Sequence, residues 1–219
     1  MIILPHSKFV LAGDSVTDMG RTQPIGQGLF NPHGTGYPNV IQGLLTSVYP
    51  DFFINVVNMG YSGNTSRDLL NRLERDILSL KPDYLSVMIG ANDVWRQFDT
   101  PQIPENSVLP EEYRENLIKI VRLSKTVTSN IILMTPVYWE SSLTDAMSAR
   151  MREYGQIVRE VSAQEKVLFC DVQSRVDRVL KHCNANYITW DRVHPNIPGA
   201  NVIAHALLDT LEFDWKREC

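Results

Sequence analysis

Short apolar runs recur along this chain, and between them lie longer segments with helical spacing. The runs are Phe9–Leu11, Ile54–Asn58, Tyr84–Ile89, Ile131–Met134 and Val167–Cys170. Helix is expected from about Pro38 to Val48 and again through Leu69, Leu70, Leu73, Ile77 and Leu80, which share one face while Arg72, Glu74 and Arg75 lie elsewhere. Pro110-Glu111-Glu112 starts another helix, and Met147, Met151, Tyr154, Val158 and Val161 form the stripe of the next. Val172, Val176, Val179 and Leu180 mark a further helix, and Val202, Ile203, Ala206, Leu207 and Leu211 the last. Apolar runs separated by helices predict a parallel sheet with helices on both faces. The expected fold class is α/β, a three-layer α/β/α sandwich on a five-stranded parallel sheet. With 219 residues and no repeat, linker or low-complexity stretch, one domain over residues 1–219 is expected.

Charge and composition exclude several functions. The formal net charge is -4 and no Lys/Arg run exists, so nothing resembles a nucleic-acid footprint. The three cysteines, Cys170, Cys183 and Cys219, are odd in number and lack a CxxC pair, which argues against a disulfide framework or zinc site. Cys170 reads as a small core residue. No apolar run approaches the roughly 18 residues of a membrane span. Met1 to Leu4 is too short for a signal peptide and Pro5-His6-Ser7 ends it, so a cytoplasmic location is expected. Neither G-x-G-x-x-G nor G-x-x-x-x-G-K-[ST] occurs at a strand end, which weakens a nucleotide-binding reading.

The chemistry gathers where the predicted strands end. In a parallel sheet those ends face one way, and ligands bind in the crevice outside them. Gly13 is expected to supply unusual backbone angles for a sharp turn that holds Ser15 at its tip. Ser15 is a candidate nucleophile if a base and an acid can reach it. Asp191 and His194, three apart, can share one face of a tight turn, and Pro195 restricts His194 to extended angles. The Ser15 N–H, a glycine N–H and the Asn92 amide can serve as an oxyanion hole. Each residue also has a plainer use. Ser15 can cap a helix, Asp14 and Asp18 can hold a turn or cap, and Asp93 and Asn92 can hold a turn. His6, His33, His182 and His205 read as ordinary surface histidines. The Gly20–Gly36 loop is long enough to predict a functional role.

These residues make the chain resemble the SGNH hydrolases, or GDSL lipases/esterases, in all four signature blocks. Gly13-Asp14-Ser15, Asn58 to Thr65, Gly90-Ala91-Asn92-Asp93 and Asp191-Arg192-Val193-His194 occur in the family's order. The resemblance implies a flavodoxin-like sheet, ester hydrolysis and no metal or cofactor. It implies Ser15, Asp191 and His194 as catalytic residues, with Ser15, Gly63 and Asn92 as oxyanion donors and Gly60 as the alternative glycine. Gly34-Thr35-Gly36-Tyr37, Ser62-Gly63-Asn64-Thr65, Asn92 to Gln97 and Trp190 to Pro195 are similar to the intracellular acetylxylan esterases, implying an acetylated sugar as substrate. Lysophospholipases and acyl-thioesterases of the same family are the alternative, and a non-catalytic carbohydrate binder would be expected to lose Ser15 or His194. Trp95, Tyr138, Trp139 and Trp190 lie in loops after predicted strands or beside His194, where aromatic faces can stack on sugar or pack internally. Arg96 can bond a sugar or pair with Asp99. A homo-oligomer is expected, with Phe213-Asp214-Trp215 as an interface or a docked tail.

Overall fold

The computed structural model describes residues 1–217. Strands β1 (Lys8–Gly13), β2 (Asn55–Gly60), β3 (Tyr84–Met88), β4 (Asn130–Met134) and β5 (Leu168–Cys170) form one parallel sheet in the order β2-β1-β3-β4-β5. β3 is buried along its whole length and β1 along all but Lys8, as strands covered on both faces must be. The order turns back between β1 and β3, which makes their carboxyl ends the switch point where such sheets bind ligands. This is the expected flavodoxin-like order.

Helices α2 (Tyr37–Val48), α7 (Val172–Leu180) and α8 (Ile197–Thr210) pack together as one outer layer. Helices α3 (Ser66–Arg72), α4 (Ala91–Asp99), α5 (Pro110–Ser124) and α6 (Ala146–Glu165) form the other. The predicted stripe of α6 is buried from Met147 through Val161, and Cys170 lies in the core as expected.

The helix expected through Leu80 is interrupted. After α3 the chain widens into a π turn over Leu73–Ile77 and tightens into a 3-10 turn over Leu78–Leu80. Leu69, Leu73 and Ile77 are all fully buried and four residues apart, a spacing wider than the α-helical repeat of about 3.6. The wide turn keeps them facing the core. α4, conversely, was not expected, because its short apolar pattern falls below the length at which periodicity is readable.

The long Gly20–Gly36 loop fastens itself to the outer strand. Gly26 bridges Asn58 in antiparallel fashion, the Arg21 Nε donates to the Gly60 carbonyl, and the His33 Nε2 meets the Val56 carbonyl. His33 is therefore buried rather than a surface histidine. At the other terminus Phe213 packs on Tyr49 and Trp215 stacks on His205 at 4.2 Å, the docked-tail alternative.

Gly13 corrects one expectation. Its φ is not among the positive values, so the turn does not use glycine's special angles. A close approach demands glycine here: a Cβ would lie 2.5 Å from the Met88 carbonyl and 2.2 Å from the Thr17 hydroxyl. Gly13→Ala is expected to lower stability by about 1–3 kcal/mol, the size of an overpacked core. A urea midpoint that drops with an unchanged slope checks this.

Candidate active site

The candidate nucleophile, Ser15, follows the end of β1. Asp14 caps a four-residue helical turn, α1 (Ser15–Asp18), by accepting the Val16 amide at 3.0 Å. Ser15 is the first residue of that turn. The capping role considered for Ser15 thus belongs to Asp14, which leaves the serine hydroxyl free to face a partner.

That partner comes from the far end of the sequence. The Ser15 Oγ and His194 Nε2 are 2.8 Å apart, and the His194 Nδ1 and Asp191 Oδ2 are 2.5 Å apart. Asp191 also accepts the Val193 and His194 amides with its other oxygen, at 2.9 and 2.7 Å. The turn between them places Arg192 at a φ of 66°, a costly position for a residue with a Cβ. It is held by the Trp139 amide, which donates to the Arg192 carbonyl at 2.8 Å, and by the Arg192–Glu140 ion pair. The Thr189 hydroxyl donates to the His194 carbonyl, and Asn196 caps α8 immediately beyond. Partial burial pushes the Asp191 carboxyl up, but the bonds from the His194 ring and from the His194 and Val193 amides outweigh it and hold the carboxyl below its usual range. An ionised Asp191 favours the tautomer with the proton on Nδ1, leaving Nε2 to accept from Ser15.

The candidate oxyanion donors come from the segments that follow β2 and β3. Asn92 occupies the second position of α4 and is 3% exposed. Its Nδ2 donates to the Asn64 carbonyl at 3.0 Å, while its Oδ1 accepts from Arg96 at 3.2 Å, which fixes which end of the amide is the donor. Gly63 has a φ of 84°, in the region that favours glycine. The Gly60 amide donates to the Asn58 side chain at 2.9 Å and is thereby committed, unlike that of Gly63. Asp18, read from sequence as a turn or cap residue, reaches across to Ser62 and accepts both its amide, at 3.1 Å, and its hydroxyl, at 2.6 Å.

The aromatic residues separate into two groups. Trp190 is 66% exposed and its ring lies parallel to that of His194 at 6.2 Å, while Trp95 flanks the same imidazole at 5.9 Å. Trp139 is fully buried, and Tyr138, 8% exposed, bonds Arg192 through its hydroxyl. These two therefore pack beneath the His194 turn instead of facing a substrate. Arg96 pairs with Asp99 as well as with Asn92.

Sequence reasoning missed the polar core under the site. Asp93 was expected to hold its own turn; it reaches instead to Ser66, accepting the amide at 3.0 Å and the hydroxyl at 2.5 Å. Thr65 and Asp68 close a capping box at the start of α3, a pattern readable as Thr-x-x-Asp. Arg72, placed off the apolar face by periodicity, is buried.

The chain belongs to the GDSL-like lipase/acylhydrolase family, which matches residues 11–202, and it is a carboxylic ester hydrolase. Among particular relatives, it is 44% identical over 210 residues to an acetylxylan esterase of Geobacillus stearothermophilus, covering 96% of each chain. The crystal structure of Axe2, an acetylxylan esterase from the same organism, superposes with a TM-score of 0.97 at 43% identity over 100% of both chains. LAE5, an alpha/beta hydrolase from the metagenome of Lake Arreo in Spain, superposes with a TM-score of 0.94 at 44% identity, covering 97% of this chain and 98% of its own. Solved variants of Axe2 described as catalytic mutants are S15A, D191A and H194A.

Two buried carboxyls behind the serine carry a consequence for stability. Burial raises Asp14 to about 6 against the opposing pull of the Val16 amide and His194, and raises Asp93 to about 7 against the Ser66 hydroxyl and amide. Both bind protons more tightly folded than unfolded, where aspartate titrates near 3.9. Their contribution to stability is therefore greatest below about 4, falls as pH rises through the folded values and is flat beyond. Asp93→Asn should remove part of that fall, so its melting temperature should drop less than the wild type's between pH 5 and 8. Thermal melts of both proteins across that range test the sign.

Proposed function

We propose that the chain is a serine esterase that removes acetyl groups from xylo-oligosaccharides or related sugars. The observation that carries the mechanism is the continuous Asp191–His194–Ser15 hydrogen-bonded chain, supported by the description of the matching Axe2 variants as catalytic mutants. The substrate class is supported by the names of the relatives, an acetylxylan esterase and an acetyl-xylooligosaccharide esterase.

Ser15 attacks the ester carbonyl as His194 takes its proton, and Asp191 stabilises the imidazolium that forms. The carbonyl oxygen becomes an oxyanion held by the Ser15 and Gly63 N–H groups and by the Asn92 amide. The intermediate then collapses: His194 returns the proton to the sugar oxygen, the alcohol leaves, and an acetyl-enzyme remains. Water, deprotonated by His194, attacks that ester in the same way and releases acetate. Trp190 and Trp95, on either side of the imidazole, are the proposed faces for the sugar leaving group. Arg96 is a substrate contact only through its free N–H groups, since two bonds commit it to Asp99 and Asn92. Tyr138, buried and bonded to Arg192, supports the His194 turn and does not contact the substrate.

Three further readings accompany this one. A single catalytic domain is supported by the one sheet and the shared core of the described residues. A cytoplasmic location is supported by two unpaired thiols, Cys170 and Cys183, as a reducing compartment allows. No helix among the described residues is long and apolar enough to cross a membrane. A homo-oligomer is supported by Tyr187 and Ile197, large apolar residues exposed on one segment.

The purified chain should hydrolyse p-nitrophenyl acetate far faster than the octanoate ester and release acetate from acetylated xylo-oligosaccharides. Ser15→Ala should abolish all three activities, and a Ser15→Ala protein with normal turnover would overturn the mechanism. Preference for octanoate would instead point to a long-chain acylhydrolase. Removing the donor with Asn92→Ala should lower kcat by roughly 10²–10³.

A further inference from the structure

Arg72 ends α3 beneath the active site, 6% exposed, where a cation has to be held by several acceptors to be tolerated. Its Nη2 donates to the Gly13 carbonyl at 3.2 Å and to the Met59 carbonyl at 2.9 Å. Its Nε donates to the Asn64 side-chain oxygen at 2.6 Å. One guanidinium thus ties the residue two before Ser15, the end of β2 and the loop that carries Gly63. The Asn64 carbonyl is in turn the acceptor for the Asn92 amide. The Gly13 carbonyl also takes the Tyr61 amide at 3.0 Å, so the same atom begins the loop that Arg72 closes. The loop's other anchor, Asp18 on Ser62, leaves Gly63 as the residue between two pinned neighbours.

We infer that Arg72 is a positioning residue of the oxyanion hole, fixing the distance between the Ser15 turn and the Gly63 and Asn92 donors through Asn64. This rests on the esterase mechanism above. Oxyanion donors act only where the charge develops, and misplacement by about 1 Å costs as much as 10² in rate. Burial lowers the Arg72 guanidinium to about 10, which still leaves it a cation at neutral pH, so the fork of donors is intact under assay conditions.

The test compares wild type, Arg72→Gln, Arg72→Lys, Asn64→Ala and Asn92→Ala on p-nitrophenyl acetate. Cleavage by the wild type and its loss in Ser15→Ala come first, so that failure of the esterase reading is seen separately from failure of this one. Arg72→Gln should lower kcat by about 10- to 100-fold, the cost of a displaced donor, with KM changed no more than a few-fold. Arg72→Lys, which keeps the charge on a single donor nitrogen, should recover part of the loss. The loss caused by Arg72→Gln should shrink in the Asn92→Ala background, because the share acting through the Asn92 donor is already gone while the share acting through Gly63 remains. A purely structural Arg72 would give losses that multiply. If Arg72→Gln does not fold, Asn64→Ala decides: it removes only the acceptor and should show the same fall in kcat. Wild-type kcat in Arg72→Gln or Asn64→Ala, or multiplying losses in the double variant, would overturn the inference.

Discussion

Gly13 pairs with Gly60 on one side and with Met88 on the other, so three neighbouring parallel strands finish at the same level. The placement of Ser15, Gly63 and Asn92 follows from that alignment. The turn after β1 presents Ser15, the turn after β2 presents Gly63, and the helix after β3 presents Asn92 from its first turn. A one-residue slip of β3 would move Asn92 away from Asn64 and reverse which side chains of the strand face each layer. The close contact of Gly13 with the Met88 carbonyl guards the register where it matters most, because no side chain is available there to prop the strands apart.

Beneath the crevice the interior is unusually polar. Asn58 is fully buried, its amide nitrogen donating to the Thr17 and His33 carbonyls and its oxygen accepting from Gly60. Asp14, Asp18, Arg21, Arg72 and Asp93 are buried as well. Groups of this kind cost free energy to desolvate and stabilise little even when bonded, so their use here trades stability for a fixed geometry. The proposed oxyanion donors would benefit from that trade, since donors must already point at a developing charge and any reorganisation during the reaction adds to the barrier.

Most of this architecture was legible in the amino-acid sequence because the central strands are buried on both faces and read as apolar runs. Ser15 and Asn92 were legible because each follows directly on a strand end, and Asp191 and His194 because they lie three apart in an irregular segment just before the last helix, where polar residues have to be explained. The polar layer below was hidden for the opposite reason. Arg72 is charged and off the apolar stripe of its helix, which is the pattern of a solvated residue; only the meeting of two strand-end carbonyls with the Asn64 side-chain oxygen makes it an interior one. Trp139 and Trp190 look alike in sequence, both beside loops, yet one is core and the other is open to solvent. His33 was read as a surface residue because nothing local signals that its loop folds back over β2. In each case the deciding contact lies far away in sequence, and local spacing carries no information about it.

The fold-back of that glycine-rich loop has its own effect on how the sheet meets its surroundings. An outer strand presents a row of unsaturated amides and carbonyls, an invitation to any extended polypeptide that drifts past. Along β2 part of that row is occupied by the chain itself, through Gly26, and at the opposite margin β5 contributes only three residues. A stray segment thus finds little ladder to copy on either flank, and growth of the sheet into a second molecule is discouraged without a single proline or lysine placed there for the purpose.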